Sequence, residues 1–274
     1  YGQIEDKTPN YGNLTTIHTI RKQTVQATSL KQPQLKVIAT EMLYKYLGNG
    51  VYDTVRTTNN QAVQSLIRLL QDPLVGNLAL SNNNLDALIA KQAEIESYFG
   101  SNLAGQFCHT FDDEKTTAQE IASSIAQAVF CTIGRPDNRV TLEFERPQQF
   151  PDMVFTHRSK IGEEKWQRDF KGSNKYDSIE FTYTDPQTNI KEVIKIPEFG
   201  GIKPNKIEGV GVRNYSQAYW LAHRARQKDL LGKVSVSFSA TEEGRYVKRG
   251  IAISVVNGSR VASFDGYIVA QNGL

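Results

Sequence analysis

Residues 117–146, TAQEIASSIAQAVFCTIGRPDNRVTLEFER, decide how the chain is read. Thr117-Ala118-Gln119-Glu120 has the form of a capping box, in which a hydroxyl and a carboxylate three residues apart satisfy the orphan amides of a helix start. Ile121, Ile125, Ala128 and Val129 follow at helical spacing. The small residues Ala122, Ser123, Ser124 and Ala126 between them allow close packing on a sheet. Gly134-Arg135-Pro136-Asp137-Asn138 is turn chemistry, and Val140, Leu142 and Phe144 then alternate with Thr141, Glu143 and Glu145, the pattern of a half-buried strand. A helix over 117–131, a turn and a strand over 140–146 predict an α+β fold, with antiparallel sheets and packed helices in two or more small mixed subdomains.

The same signals recur on both sides. Thr58-Asn59-Asn60-Gln61 has capping-box form, and Ala62, Leu66, Leu69 and Leu70 carry a helix over 59–71 until Asp72-Pro73 stops it. Leu85, Leu88, Ile89, Ile95 and Phe99 predict a second helix after Ser81-Asn82-Asn83-Asn84, with Gly100 at its C-terminal cap. Further on, Ile179–Tyr183 and Glu192–Ile196 read as a hairpin around Thr184-Asp185-Pro186-Gln187. Asn214 caps a helix whose stripe is Ala218, Leu221, Ala222 and Ala225, closed by Gly232, and an alternating strand over 233–239 follows. Branched residues at 15–20, 25–28 and 35–39 predict early strands, and Gly48-Asn49-Gly50 breaks that pattern. The organisation read from this is a β-rich segment 1–57, a helical segment 58–112, an α+β region 113–250 built of helix-strand units, and the start of a further β segment over 251–274.

Composition excludes several classes. The 274 residues are 39% hydrophobic and 22% charged with a net charge of +3, so a globular core is expected rather than disorder. Two cysteines and four scattered histidines supply neither a disulfide framework nor a zinc module, and no cofactor or metal is expected. No apolar run is long enough to span a bilayer, and the first twenty residues lack a signal-peptide pattern. Opening on Tyr1, the chain reads as a piece of something longer. Residues up to 150 carry a slight acidic excess and the rest a slight basic one, too mild for a phosphate-neutralising stripe, so no nucleic acid is expected as a partner.

No catalytic set emerges, and the chain is expected not to be an enzyme. Glu143 and Glu145 share a strand face, but it is the face opposite the apolar residues, which makes both solvated. Asp112-Asp113-Glu114 precede a helix whose dipole favours acids there. Cys108 and His109 would point to opposite sides of a strand, Cys131 reads as a small buried apolar residue, and no nucleophile elbow occurs. Gly209-Val210-Gly211 lacks the remaining glycine of a dinucleotide turn and the lysine of a P-loop, and reads as chain reversal. The cations of His223–Lys228 suit a helix C-terminus. What stands out is aromatic: Tyr215, Tyr219 and Trp220 on one predicted helix, with Trp166 and Phe170 among charges, are the candidate interaction surface.

Three ordered blocks carry a resemblance. They are the helix-turn-strand unit ending Arg146-Pro147; Asn174–Glu180 with Thr184-Asp185-Pro186; and Ile207-Glu208-Gly209-Val210-Gly211 followed by Asn214, Gln217-Ala218, Leu221, Arg224, Val234–Phe238, Glu243-Gly244, Val247 and Gly250. In order and spacing the region from about 58 to 250 resembles the tail-tip hub (tip attachment, host-specificity) protein of lambda-like long-tailed phages. Val75 and Leu78 stand where that family tends to have an aromatic residue and a glycine, and Ile251 follows Gly250 where it commonly has an aspartate.

The resemblance implies a virion structural protein of a phage or prophage, assembled in the bacterial cytoplasm. It would form the central hub of the tail tip, commonly as a homotrimer, and link tube, tip and tape-measure proteins to host-attachment parts lying outside this sequence. One of the strands 140–146 and 233–239 would pair or pack across a subunit boundary. The competing readings are a tail-associated cell-wall glycosidase or peptidase, which needs two carboxylates in one cleft, and a carbohydrate-binding module built on the aromatic residues.

Overall fold

The structure, a computed structural model, describes residues 42–111, 116–135, 139–168, 176–247 and 250–257. The chain divides after Ala39, and every described residue belongs to the second unit, Thr40–Leu274. The early strands expected over 15–39 and the acidic run 112–114 lie outside the described residues.

The fold is α+β, with four α-helices and several small sheets among the described residues. Short strands β1 (Met42–Leu43) and β4 (Thr57–Thr58) pair antiparallel and enclose the hairpin of β2 (Tyr46–Gly48) and β3 (Val51–Tyr52). The glycines of Gly48-Asn49-Gly50 make that hairpin's turn, with φ at 111°, 51° and 78°, where only residues tolerant of the left-handed region fit. Helix α1 (Ala62–Gln71) begins three residues later than expected, because Thr58 is spent in β4 and the Asn59 side chain bonds Gln61 N and Ser65 Oγ instead of capping. It stops before Asp72 as Pro73 requires. Helix α2 (Asn82–Phe99) is capped by Ser81, which accepts from Asn84 N, and ended by Gly100 at φ 62°. A short 3-10 turn, Asn102–Gly105, follows.

Helix α3 (Ala118–Ala128) carries both halves of the Thr117–Glu120 capping box. It ends before the expected 131: Phe130 turns to φ 63°, and Cys131 starts a strand, β5 (Cys131–Gly134), antiparallel to β6 (Thr141–Phe144). The expected helix-turn-strand is therefore a helix followed by a hairpin. Next come β7 (Met153–Phe155), β8 (Lys160–Arg168), β9 (Ser178–Thr184), β10 (Lys191–Ile196) and β11 (Pro204–Glu208). The hairpin β9–β10 forms in the register Phe181 opposite Ile194, its turn held by the Asp185 carboxylate accepting from Gln187 N and Thr188 N at 2.8 Å each. Strand β11 adds to the other side of β9 in parallel, so β9 is central to a three-stranded sheet. Helix α4 (Tyr215–Leu231), capped by Asn214, packs on this sheet.

One apolar core runs through α1, α2, α3, β5, β6, β9 and the inner face of α4, with Leu66, Ile95, Ala126, Val129, Ile179 and Ala218 at its centre. Strand β12 (Val234–Ala240) leaves it and pairs antiparallel with β8 in a two-stranded ribbon, and β13 (Ile253–Val255) pairs parallel with β7. No residue of β8 or β12 is fully buried. Phe155 of β7 is buried and meets Phe238 of β12 at 5.2 Å between ring centres.

Candidate interaction surface

Four buried side-chain amides hold the frame together. Asn84 on α2 donates to Val140 O at 2.6 Å and accepts from Val140 N at 3.2 Å, so one side chain takes the place of a neighbouring strand. Gln64 on α1 does the same for Tyr46, accepting from its N at 2.9 Å and donating to its O at 2.8 Å. Gln92 donates to Gly105 O. Gln217, fully buried in the first turn of α4, donates to Gln106 O and Ala128 O at 2.8 Å each and accepts from Asn214 Nδ2 at 3.0 Å. Each bond replaces a backbone partner that the irregular strand ends lack, since a buried carbonyl left unpaired is costly. The N-terminus of α4 is thereby fixed to the 3-10 turn and to the end of α3.

The aromatic residues singled out in the sequence are distributed over different faces. Tyr215 and Tyr219 are exposed and lie on one side of α4, their rings 6.0 Å apart, and His223 continues the row 4.3 Å from Tyr219. Trp220, one residue on and so about 100° around the helix, turns inward and stacks on Phe99 at 4.6 Å. Trp166 stands on β8 opposite Val236, in the ribbon. Phe170 lies outside the described residues.

Trp220 leads to a feature that sequence periodicity does not reveal. With Tyr98, Phe99, Phe130, Phe144 and Leu231 it lines an open groove of about 900 Å³. The aromatic rings contact one another in edge and offset arrangements, Tyr98 on Phe144 at 5.3 Å and Phe99 on Phe130 at 4.5 Å. Arg146, Arg224 and Lys228 stand at its rim. A smaller cavity of about 360 Å³ lies between α3, α4 and β11.

Glu145 separates the two hollows, and here the expectation of a solvated carboxylate is corrected. It is only partly exposed, because α4 crosses the outer face of the β6 end and brings Arg224 and Lys228 onto the same carboxylate oxygen. Burial alone would raise the Glu145 carboxyl, but the hydrogen bonds and charges of Lys228 and Arg224 outweigh it and hold it below the ordinary carboxylate range. Glu143 is partly buried rather than solvated. Cys131 is buried as expected, which pushes its thiol up to about 12, whereas Cys108 is exposed. Gly209-Val210-Gly211 makes a chain reversal packed on aromatic rings: Gly211, at φ 74°, leaves a Cβ only 2.2 Å from Phe107 Cε2. No group of three or more His, Cys, Asp or Glu is placed to hold a metal among the described residues, and none of the described helices is long and apolar enough to cross a membrane.

No family model matches the sequence, and no curated protein does. Among solved structures, the chain is similar to the tail protein from Neisseria meningitidis MC58 at 12% identity and a TM-score of 0.39, over 61% of this chain and 56% of that one. It is also similar to the 43 kDa tail protein of prophage MuSo2 from Shewanella oneidensis, at 10% identity and a TM-score of 0.35, over 54% of this chain and 47% of that one. The chain thus spans about half the length of the solved proteins it matches.

Proposed function

We propose that the chain is a structural component of a phage or prophage tail, the hub at the tail tip, which acts by self-association and contact with other tail proteins and not as an enzyme. The observation that carries the reading is the β8–β12 ribbon. A two-stranded ribbon is marginal in water without a covering layer; this one has no fully buried residue, and among the described residues no strand pairs with either of its outer edges. Such edges are stable when another chain covers them. A cyclic homotrimer does this with one repeated contact.

The polar groups also favour assembly over hydrolysis. A glycosidase acid needs a carboxyl pKa raised towards neutrality, whereas Glu145 is held low by two cations. The buried amides are consumed in backbone hydrogen bonds. The sequence blocks that resemble the tail-tip hub proteins fall on α3 to β6 and on β11 to β12, which supports the reading. Sedimentation velocity of the 274-residue chain over a hundredfold concentration range tests the reading. A species of three chains is expected, and a monomer throughout would overturn it.

A further inference from the structure

The groove beside Trp220 has a fixed floor and fixed walls. Phe130 and Phe144 are buried beneath it, and Glu145 N donates to Phe130 O at 3.1 Å. Trp220 stacks on Phe99 at the end of α2, and α4 is pinned one turn earlier by Gln217. Residues 250–252 close one side, where Ala252 O accepts from Asp152 N at 2.8 Å. Its edges nevertheless stand in water, with Tyr98 at 49% and Leu231 at 77% exposed. Single exposed apolar residues are ordinary. Here they join stacked rings in one concave surface, the kind of site that desolvates an apolar anchor. A hollow that already has its bound shape loses little entropy on being filled.

The charges around the groove select its occupant. Three cations line it, Arg146, Arg224 and Lys228, against one acid, Glu145. Arg224 and Lys228 share that single carboxylate. Arg146 pairs with Glu94 at 3.0 Å, but Glu94 also holds Lys91 at 2.8 Å, so this pairing too leaves a cation in surplus. His223 and Gln227 add no negative charge. Glu143 and Asp152, packed near 250–252, do not line the groove, and the Asp152 carboxylate accepts from Ala252 N at 3.3 Å. The Lys228 and Arg146 side chains are 62% and 44% exposed, within reach of a bound group. An apolar floor under surplus cations complements an apolar group flanked by carboxylates and repels one flanked by lysines. An open groove covers one side of what it holds, whereas a small-molecule site encloses most of its ligand, so the shape suits a segment of protein chain.

We propose that the Trp220 groove docks a segment of a partner protein in which an aromatic or aliphatic side chain is flanked by carboxylates. The apolar side chain packs on Phe99, Phe130 and Trp220, and the carboxylates meet Arg146 and Lys228. This docking deepens the contact with other tail proteins proposed above and rests on that reading for the partner being a tail component.

The chain has two tryptophans, Trp166 and Trp220, so the emission of a full-length Trp166→Phe chain is that of Trp220 alone. The probe is the synthetic peptide acetyl-Glu-Glu-Phe-Leu-Glu-Glu-amide; one control replaces every Glu by Lys and another replaces Phe-Leu by Ser-Ser. The Glu peptide is expected to shift Trp220 emission saturably, and each control to bind about tenfold or more weakly, as loss of an anchor or reversal of charge does. Gln227 lines the groove and is exposed. Gln227→Glu is expected to weaken and Gln227→Lys to strengthen binding of the Glu peptide by about two- to fivefold, the range of an exposed charge pair, with circular dichroism unchanged. No saturable shift with the Glu peptide, equal binding of the Lys peptide, or one affinity for both Gln227 variants would overturn the proposal. So would dodecanoate shifting Trp220 where the peptide does not, which assigns the groove to a lipid. A second copy as the occupant would show as Gln227→Glu and Leu231→Ser altering sedimentation while the peptide leaves Trp220 unmoved, and would overturn it as well. A monomer that binds the Glu peptide would overturn the homotrimer and spare the docking site, whereas a trimer that ignores the peptide would do the reverse.

Discussion

Replacing Gln217 by Leu keeps the size and apolar contacts of a fully buried side chain and deletes its hydrogen bonds. The amide of Gln217 satisfies Gln106 O and Ala128 O, each at 2.8 Å, and receives Asn214 Nδ2. Each carbonyl left without a partner in the interior costs about 1–3 kcal/mol, so the loss is roughly 2–5 kcal/mol. In a domain of this size that lowers the melting temperature by on the order of 5–15 °C. Gln217→Glu adds a second, diagnostic effect. A carboxylate there would face the same carbonyl oxygens in a dry site, so its folded pKa would lie above its unfolded one. The folded state then holds the proton more tightly, and stability falls as pH rises between the two values. Urea unfolding at fixed protein concentration and several pH values is the assay. The Leu variant is expected to show a deficit independent of pH, and the Glu variant one that shrinks as pH falls from 7 towards 4.5. A Leu variant within about 0.5 kcal/mol of the parent, the range of an ordinary surface change, would refute the claim that this amide ties α4 to the frame.

Three further outcomes follow from the same structure. Asn84→Leu leaves the N–H and C=O of Val140 without their partner and is expected to cost roughly 2–4 kcal/mol in urea unfolding. Glu145→Gln removes a carboxyl whose folded pKa is depressed by Lys228 and Arg224. Its contribution is present above the unfolded value and lost as pH falls through the folded one, so the variant is expected to be less stable at pH 7 and to converge with the parent only as pH falls below the depressed folded value. Thiol labelling at pH 7 is expected to modify exposed Cys108 in the folded chain and Cys131 only after unfolding, because burial raises the Cys131 thiol to about 12.

The helices were largely legible because their ends are written locally. The Thr117–Glu120 pair, Asn214 and Gly100 cap where they were expected to, whereas Ser81, read as part of a turn, caps a helix that begins three residues earlier than expected. Thr58 failed as a cap because a tertiary pairing with Met42 claimed it first. Strand β5 was hidden because Cys131-Thr132-Ile133 continues the apolar run of α3 without a break in composition; the break is a single residue, Phe130, with positive φ. Strand β8 carries Lys160, Glu163, Glu164, Lys165 and Arg168 and shows no alternation, since neither face of its ribbon packs on the core. Parallel pairing of β11 with β9 is a non-local event that no turn signal announces. The groove was partly legible through Trp220, but its other rings come from α2, β6 and the end of α3, which only the fold brings together. The buried amides left a fainter trace: Gln92 stands four residues after Leu88 and three before Ile95, on the apolar stripe itself, where a polar residue signals a hydrogen bond inside the core.

The central claim, that this chain builds the hub at the tail tip, is tested most directly by electron microscopy of tailed particles carrying it, labelled with gold-conjugated antibody against residues 42–257. The account expects gold confined to the end of the tail distal to the head. Label spread along the tube, label at the head, or particles free of the chain would contradict it.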